Sequence, residues 1–286
     1  MDKDLMSIIS EREPEFSKSQ RAIAKFITES YDKAAFMTAS RLAAKTEVSE
    51  STVVRFAQEL GYSSYPEMRR ALADVVRGRL TSVQRIQAAH EMISSGDIIK
   101  HVLTSDIEQI KMTLDEISPV EFDKAVNAIV KAKNIYICGL RSSSALAHFL
   151  GFYLNMLFEN VRVVGEYSSL EVFEQIMHVT QGDVFIAMSF PRYSNMTIRE
   201  MRFARDKGAT VIGITDSSSS PVTRHADIAL LARSDMASFI DTLVAPLSVV
   251  NALIVAVSEQ TDSDVTNRFE KLESIWNEYG VYGENG

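Results

Sequence analysis

From Asn134 onward, apolar residues stop recurring every three or four positions and gather into unbroken runs. These are NIYICGL (134–140), VRVVG (161–165), DVFIAMSF (183–190), TVIGITD (210–216) and DIALLAR (227–233). A strand with one wet face alternates apolar and polar residues. Unbroken runs separated by helical patterns instead mark strands covered on both faces, as in a parallel sheet. The expected fold over residues 134–260 is therefore a doubly wound α/β domain on a five-stranded parallel sheet. No run approaches the roughly 18 apolar residues that a membrane span requires.

The first 80 residues follow a different period and read as helices throughout. SKSQRAIAKFITES (17–30) puts Ile23, Phe26 and Ile27 on one face, and TASRLAAKT (38–46) forms a short helix around Leu42 and Ala43. A connection over 47–50 leads into VSESTVVRFAQELG (48–61), where Val53, Phe56 or Ala57, and Leu60 mark a buried face. Ser49 suits the N-cap of this helix and Gly61 its left-handed C′ position. Its other face carries Ser51, Thr52 and Arg55, three hydrogen-bonding groups gathered near the N-terminal end. Pro66 opens a further helix, PEMRRALADVVRGRL, since proline costs little in a first turn. Two short helices across a tight turn make a helix-turn-helix pattern over residues 1–80, although the turn lacks the usual glycine.

Residues 81–133 read as a helical connection, including IIKHVLTSDIEQIKMTLDEI and PVEFDKAVNAIVKAK, and residues 261–286 as a last amphipathic helix and tail. Charge separates the same regions. Residues 17–80 hold eleven Lys/Arg, including Arg77 and Arg79, against seven acids, a net +4 in a chain of net −8. The remainder carries −12, which suits a chain of which only one part meets phosphate. The single cysteine, Cys138, permits no intrachain disulfide and fits a reducing cytoplasm. The start, MDKDLMSIISEREPEF, lacks the basic-then-apolar pattern of a signal peptide.

Ligands of open parallel sheets bind at the carboxyl ends of strands, and here those ends are rich in hydroxyls. The first strand runs into GLRSSS, with Arg141, Ser142, Ser143 and Ser144, and the third into SFPRYSNMT, with Ser189, Arg192, Ser194 and Thr197. The fourth ends in ITDSSSSP. Hydroxyls, free backbone N–H groups and a helix dipole make an anion site; the alternative is that these serines only cap their helices.

The chain resembles the RpiR family of bacterial transcriptional regulators along nearly its whole length. The likeness lies in AIAKFI and RLAAKTEVSESTVVRFAQELGYSSYPEMRRAL, then in IYICGLRSS, DVFIAMSF, ARDKGATVIGITDSSSSP and HADIAL. The resemblance implies an N-terminal helix-turn-helix domain and a C-terminal sugar isomerase (SIS) domain that senses a small anionic metabolite. It makes 50–60 the recognition helix, entering the major groove of double-stranded operator DNA by its N-terminal end. Arg55 can then pair bidentately with guanine, and Ser51 and Thr52 can reach base edges or phosphate. Arg41, Lys45, Arg69 and Arg70 are the candidate phosphate contacts. For Arg55 the alternative is a surface ion pair with Glu59 at i+4.

Phosphosugar-binding SIS domains usually show G-x-G-x-S after the first strand and S-x-S-G-x-T after the third. Here Gly139 and Ser143 remain but Arg141 takes the second glycine's place. Ser189 remains, while Pro191, Arg192 and Ser194 replace the second serine, the glycine and the threonine. The expected effector site is thus Arg141, Ser142, Ser143, Ser189, Arg192 and Ser194, holding a phosphosugar or a carboxylate metabolite. A homodimer or tetramer is expected, with no cofactor, metal or membrane partner. The competing function is an aldose–ketose phosphosugar isomerase with a structural N-terminal domain. Such chemistry needs a positioned acid/base, yet His90, His101, His148, His178 and His225 are scattered. A nucleoid-type protein without effector would make little use of the acidic α/β body.

Overall fold

A computed structural model describes residues 5–77, 80–92, 98–165, 172–236, 240–261 and 264–282. The chain divides into two compact units, Met1–Ser105 with Asp235–Thr242, and Asp106–Ser234 with Leu243–Gly286.

The first unit begins with helices α1 (Leu5–Arg12), α2 (Lys18–Glu29), α3 (Tyr31–Ala34), α4 (Ala39–Thr46), α5 (Glu50–Glu59), α6 (Tyr65–Arg77) and α7 (Ser82–Met92). Each of the central helices starts where a hydroxyl meets an unpaired amide. Ser17 caps α2 within a capping box, Thr38 accepts from the Arg41 amide, and Ser49 from the Thr52 amide. The predicted apolar stripes meet in one core, where Ile23, Ile27, Leu42, Val53, Phe56, Ala57 and Leu60 are buried. Phe16 closes it edge-to-face on Phe56, with centroids 5.3 Å apart. Helix α5 ends as expected: Gly61 takes φ 97°, and the Tyr62 and Gly61 amides reach back to the carbonyls of Ala57 and Gln58. The turn from α4 to α5 solves its missing glycine differently. Glu47 itself adopts the left-handed conformation, φ 57°.

The compact unit runs past residue 80, where composition places the boundary, because Leu80 is buried in this core and Arg85 is enclosed against Asp241 at 2.8 Å. Arg79 lies outside the described residues. Two helices follow, α8 (Ile98–Glu116) and α9 (Pro119–Val130).

The second unit is built on strands β1 (Ile135–Gly139), β2 (Val161–Val164), β3 (Val184–Met188), β4 (Thr210–Thr215) and β5 (Ile228–Leu231). They form one parallel sheet in the order β2-β1-β3-β4-β5. The connecting helices are α10 (Ser144–Leu157), α11 (Val172–Gln175), α12 (Asn195–Asp206) and α13 (Pro221–His225), followed by α14 (Val244–Gln260) and α15 (Asp264–Glu278). Successive strand residues serve opposite faces. Ile135, Ile137, Ile186 and Met188 pack with α9, α10 and α14, whereas Tyr136, Cys138, Phe185 and Ala187 pack with α11, α12 and α13. Two cores explain why the central runs are unbroken in apolar residues. The edge strand β2 departs from that pattern: it is only partly covered, and Arg162 lies 6.0 Å above the Tyr136 ring. No helix among the described residues is long and apolar enough to cross a membrane.

Candidate functional site

The strand order decides where a ligand can sit. From β1 the chain moves outward to β2, then returns to β3 on the other side of β1 and continues away through β4 and β5. Helices leave on opposite faces at this switch, α10 on one and α12 on the other, and in open parallel sheets ligands bind at such a point. Those strands are direct neighbours, with Gly139 paired to Met188. The hydroxyl turns GLRSSS and SFPRYSNMT therefore flank the switch point.

The first turn is tight. A Cβ on Gly139 would lie 2.4 Å from the Ser143 carbonyl oxygen, so only glycine lets the chain fold back here. Arg141, at the family's second glycine, holds φ 58°, the left-handed conformation that a glycine adopts freely. Its carbonyl accepts from the Ser144 hydroxyl at 2.6 Å, and its side chain is exposed beside that of Ser142. Ser143 is buried yet makes no capping bond to α10. In the second turn, the buried Ser189 hydroxyl accepts the Ser194 amide at 3.1 Å, and Ser194 in turn caps α12 through the Thr197 amide at 3.3 Å. The capping alternative thus describes Ser194, but not Ser143 or Ser189. Arg192 is exposed.

Further side chains join this end of the sheet without any motif marking them. Thr215 donates to the Ser189 carbonyl at 2.9 Å and lies 2.8 Å from the Ser220 hydroxyl, which bridges ITDSSSSP to the second turn. Tyr193 donates to the buried Asp216 carboxylate at 2.8 Å. Burial first, and then that carboxylate, push the Tyr193 phenol well above its usual range. On the α12 face of the sheet, Cys138 lies 2.6 Å from Glu200, and both are fully enclosed. Burial raises the Glu200 carboxyl above its ordinary value, so it leans toward the neutral form. Only the residue spacing of α12 could have hinted at Glu200, an acid where the helical period demands an apolar residue.

In the first unit, Ser49 joins the outward face of α5, with its hydroxyl 2.9 Å from that of Ser51 and 2.7 Å from that of Thr52. Arg55 is exposed and donates from Nε to the Ser51 carbonyl at 3.3 Å. Glu59, the alternative partner, is engaged by Gln20, and its carbonyl accepts from Arg12. The C-terminal end of α5 is thereby tied down and the N-terminal end projects. Arg41, Lys45 and Arg70 are exposed and Arg69 is half-buried.

Two family models match the chain: an rpiR-family helix-turn-helix domain over residues 3–77, and a SIS domain over residues 128–256. The chain belongs to the RpiR family. It is a transcriptional regulator with one helix-turn-helix and one SIS domain. Relatives of the regulator include HexR of Pseudomonas aeruginosa, 25% identical over 277 residues and 95% of each chain. The sugar isomerase domain of an RpiR transcription factor from Sphaerobacter thermophilus is 29% identical. It covers 61% of this chain and 97% of that one, with a TM-score of 0.58. The Vibrio vulnificus NanR protein complexed with ManNAc-6P shares the fold over 99% of this chain and 100% of its own. Its identity is 22% and its TM-score 0.60.

Proposed function

We propose that this regulator binds operator DNA through α5 and responds to a small anion, a phosphosugar or related sugar acid, bound at the β1/β3 switch point. The observation that carries the reading is the pairing of that switch point with two hydroxyl turns, each bearing an arginine. Ser143, with Arg141 and Ser142, would serve one side of the anion, and Ser189 and Arg192 the other, above the N-termini of α10 and α12. The NanR complex with ManNAc-6P supports a phosphorylated sugar as ligand class, on a fold shared with this chain. In the first unit Arg55 would read guanine, Ser51 and Thr52 the neighbouring edges, and Arg41, Lys45, Arg69 and Arg70 would meet phosphate. Acting as a homodimer or tetramer, the protein would bring two recognition helices to paired half-sites.

The ligand acts only if it binds two states of the assembly unequally, and a coupling of about 1–3 kcal/mol is typical. No turnover is part of this reading. Glu200 is sealed away from any substrate, and His148 is turned back onto the Ser144 carbonyl at 2.7 Å. Operator affinity measured across a panel of hexose phosphates, amino-sugar phosphates and sugar acids tests the proposal. At least one should change affinity five-fold or more. Isomerisation of a sugar phosphate that disappears with a single Asp216 or His148 substitution would overturn it.

A further inference from the structure

Of residues 189–194, the second hydroxyl turn, only Arg192 is exposed. Its neighbours are tied down on both sides. Phe190 is buried in the core on the α10 side of the sheet, and Tyr193 packs against the core on the α12 side. Pro191 between them is buried, and its ring sets its own φ. The Ser194 amide on the Ser189 hydroxyl closes the turn, and the Ser189 carbonyl takes the Thr215 hydroxyl. A further bond ties the turn to the end of β4: the Tyr193 hydroxyl donates to Asp216 Oδ1 at 2.8 Å.

By charge alone, Asp216 works against an anion site. It is 6% exposed and follows β4, the strand paired with β3, so its carboxylate stands beside the turn read as holding the ligand. A buried carboxylate persists only on hydrogen bonds. Thr215 lies 3.2 Å from the same oxygen, but its one proton goes to the Ser189 carbonyl. Tyr193 is therefore the hydroxyl that serves Oδ1. Burial, and then the carboxylate itself, raise the phenol so far that it keeps this proton well above neutral pH. We propose that Tyr193 is a positioning residue of the effector site: its bond to Asp216 sets the second turn on the end of β4 before any ligand arrives, and so holds Arg192 ready for the anion. The proposal rests on the reading of the switch point as an anion site. A turn that the ligand itself had to order would bind it more weakly by the cost of that ordering. The departures from the family pattern agree. Pro191 and Arg192 stand where a serine and a glycine are usual, so a loop that bends around its ligand gives way to one set beforehand.

Calorimetry on the full chain, with 6-phosphogluconate, glucose 6-phosphate and glucuronate as probes, tests the role. Tyr193→Phe keeps the ring and its packing and removes only the hydroxyl. It should retain the far-UV circular dichroism of wild type and weaken probe binding roughly three- to ten-fold. Arg192→Ala should then lose less affinity in the Tyr193→Phe background than in wild type, because the arginine is no longer held. A hydroxyl that served only the fold would leave the two losses independent. Without any probe, amide hydrogen exchange over residues 189–197 should run roughly three-fold faster or more in Tyr193→Phe, with β3 and β4 unchanged. A wild type that binds none of the probes overturns the anion reading and this proposal with it. If wild type binds, then equal binding by Tyr193→Phe, independent losses, or unchanged exchange in the turn overturns the proposal alone.

Discussion

The hydroxyl of Ser189 accepts the backbone amide of Ser194 at 3.1 Å. That bond uses a lone pair and leaves the hydroxyl proton, so Ser189 can hold the loop and still donate to an anion. Ser194 spends its own oxygen on the α12 amide of Thr197. The two serines are therefore expected to fail differently. Ser194→Ala should lower stability by about 1 kcal/mol through loss of the cap, seen as a lower denaturant midpoint. Ser189→Ala should weaken anion binding by more than Ser194→Ala does in calorimetry. Equal losses would mean that neither hydroxyl meets the ligand.

Arg141 provides a second separation of stability from binding. Its left-handed backbone, φ 58°, costs a non-glycine residue roughly 1 kcal/mol, while glycine loosens the unfolded chain by roughly 0.5–1 kcal/mol. Arg141→Gly should thus leave stability within about 1 kcal/mol of wild type and still weaken anion affinity. Arg192→Ala should weaken it too, and the double variant more than either. Unchanged affinity in all of them would place both guanidiniums outside the site.

For DNA, Arg55→Ala should cost on the order of 1–3 kcal/mol of operator binding and relax discrimination at one base pair. Arg69→Ala and Arg70→Ala should instead weaken all sequences alike and flatten the salt dependence by about one unit of slope each. Binding titrations at several salt concentrations, on operator and scrambled duplexes, separate the two kinds of contact. An Arg55→Ala protein as tight and selective as wild type would exclude a base contact.

Glu200 makes stability depend on pH in a defined direction. Its carboxyl is raised above the ordinary 4.5 by burial, with Cys138 hydrogen-bonded against it as the lesser, opposing influence. Below pH 4.5 folded and unfolded chains both hold the proton. As pH rises past that value the unfolded chain releases it first, so this group's contribution to stability falls until the folded carboxyl also ionises. Glu200→Gln removes that loss. Its advantage over wild type should therefore grow between pH 4.5 and neutrality, as read from denaturant midpoints across pH. A constant difference would show that Glu200 titrates normally.

Glu47 offers a test in the helix-turn-helix itself. It holds φ 57° at the end of α4, where a glycine is usual. Glu47→Gly should be neutral or stabilising by up to about 1 kcal/mol, because relief of backbone strain exceeds the added freedom of the unfolded chain. A clear loss of thermal stability would mean that the Glu47 side chain holds the turn.

Much of this was written in local pattern. The 3.6-residue period located α2, α4 and α5 and their buried stripes, and hydroxyls before them marked their starts, because capping is settled by neighbours in the chain. Unbroken apolar runs gave away β1, β3 and β4, since a strand with a core on each face has no wet side to encode. The same logic located β2 but not its partial exposure, because its place at the edge depends on which strands lie beside it. Sequence named the hydroxyl turns after β1 and β3. It took the strand order to bring them to neighbouring strand ends, because adjacency in a parallel sheet is decided by crossovers that no local residue records.

Period also marks an apolar face without saying what covers it. In α5 that face met its own core; in α8 it remained open while Gln109 and Thr113 turned inward. The Cys138–Glu200 pair and the Tyr193–Asp216 bond join residues 62 and 23 positions apart. Nothing near either member predicts the other. What the sequence determined alone was every feature whose energy is set within a few residues: element type, capping and the chemistry of the turns. The tertiary structure decided which of those features share a surface, because hydrogen bonds and burial between distant residues exist only once the sheet has closed them together.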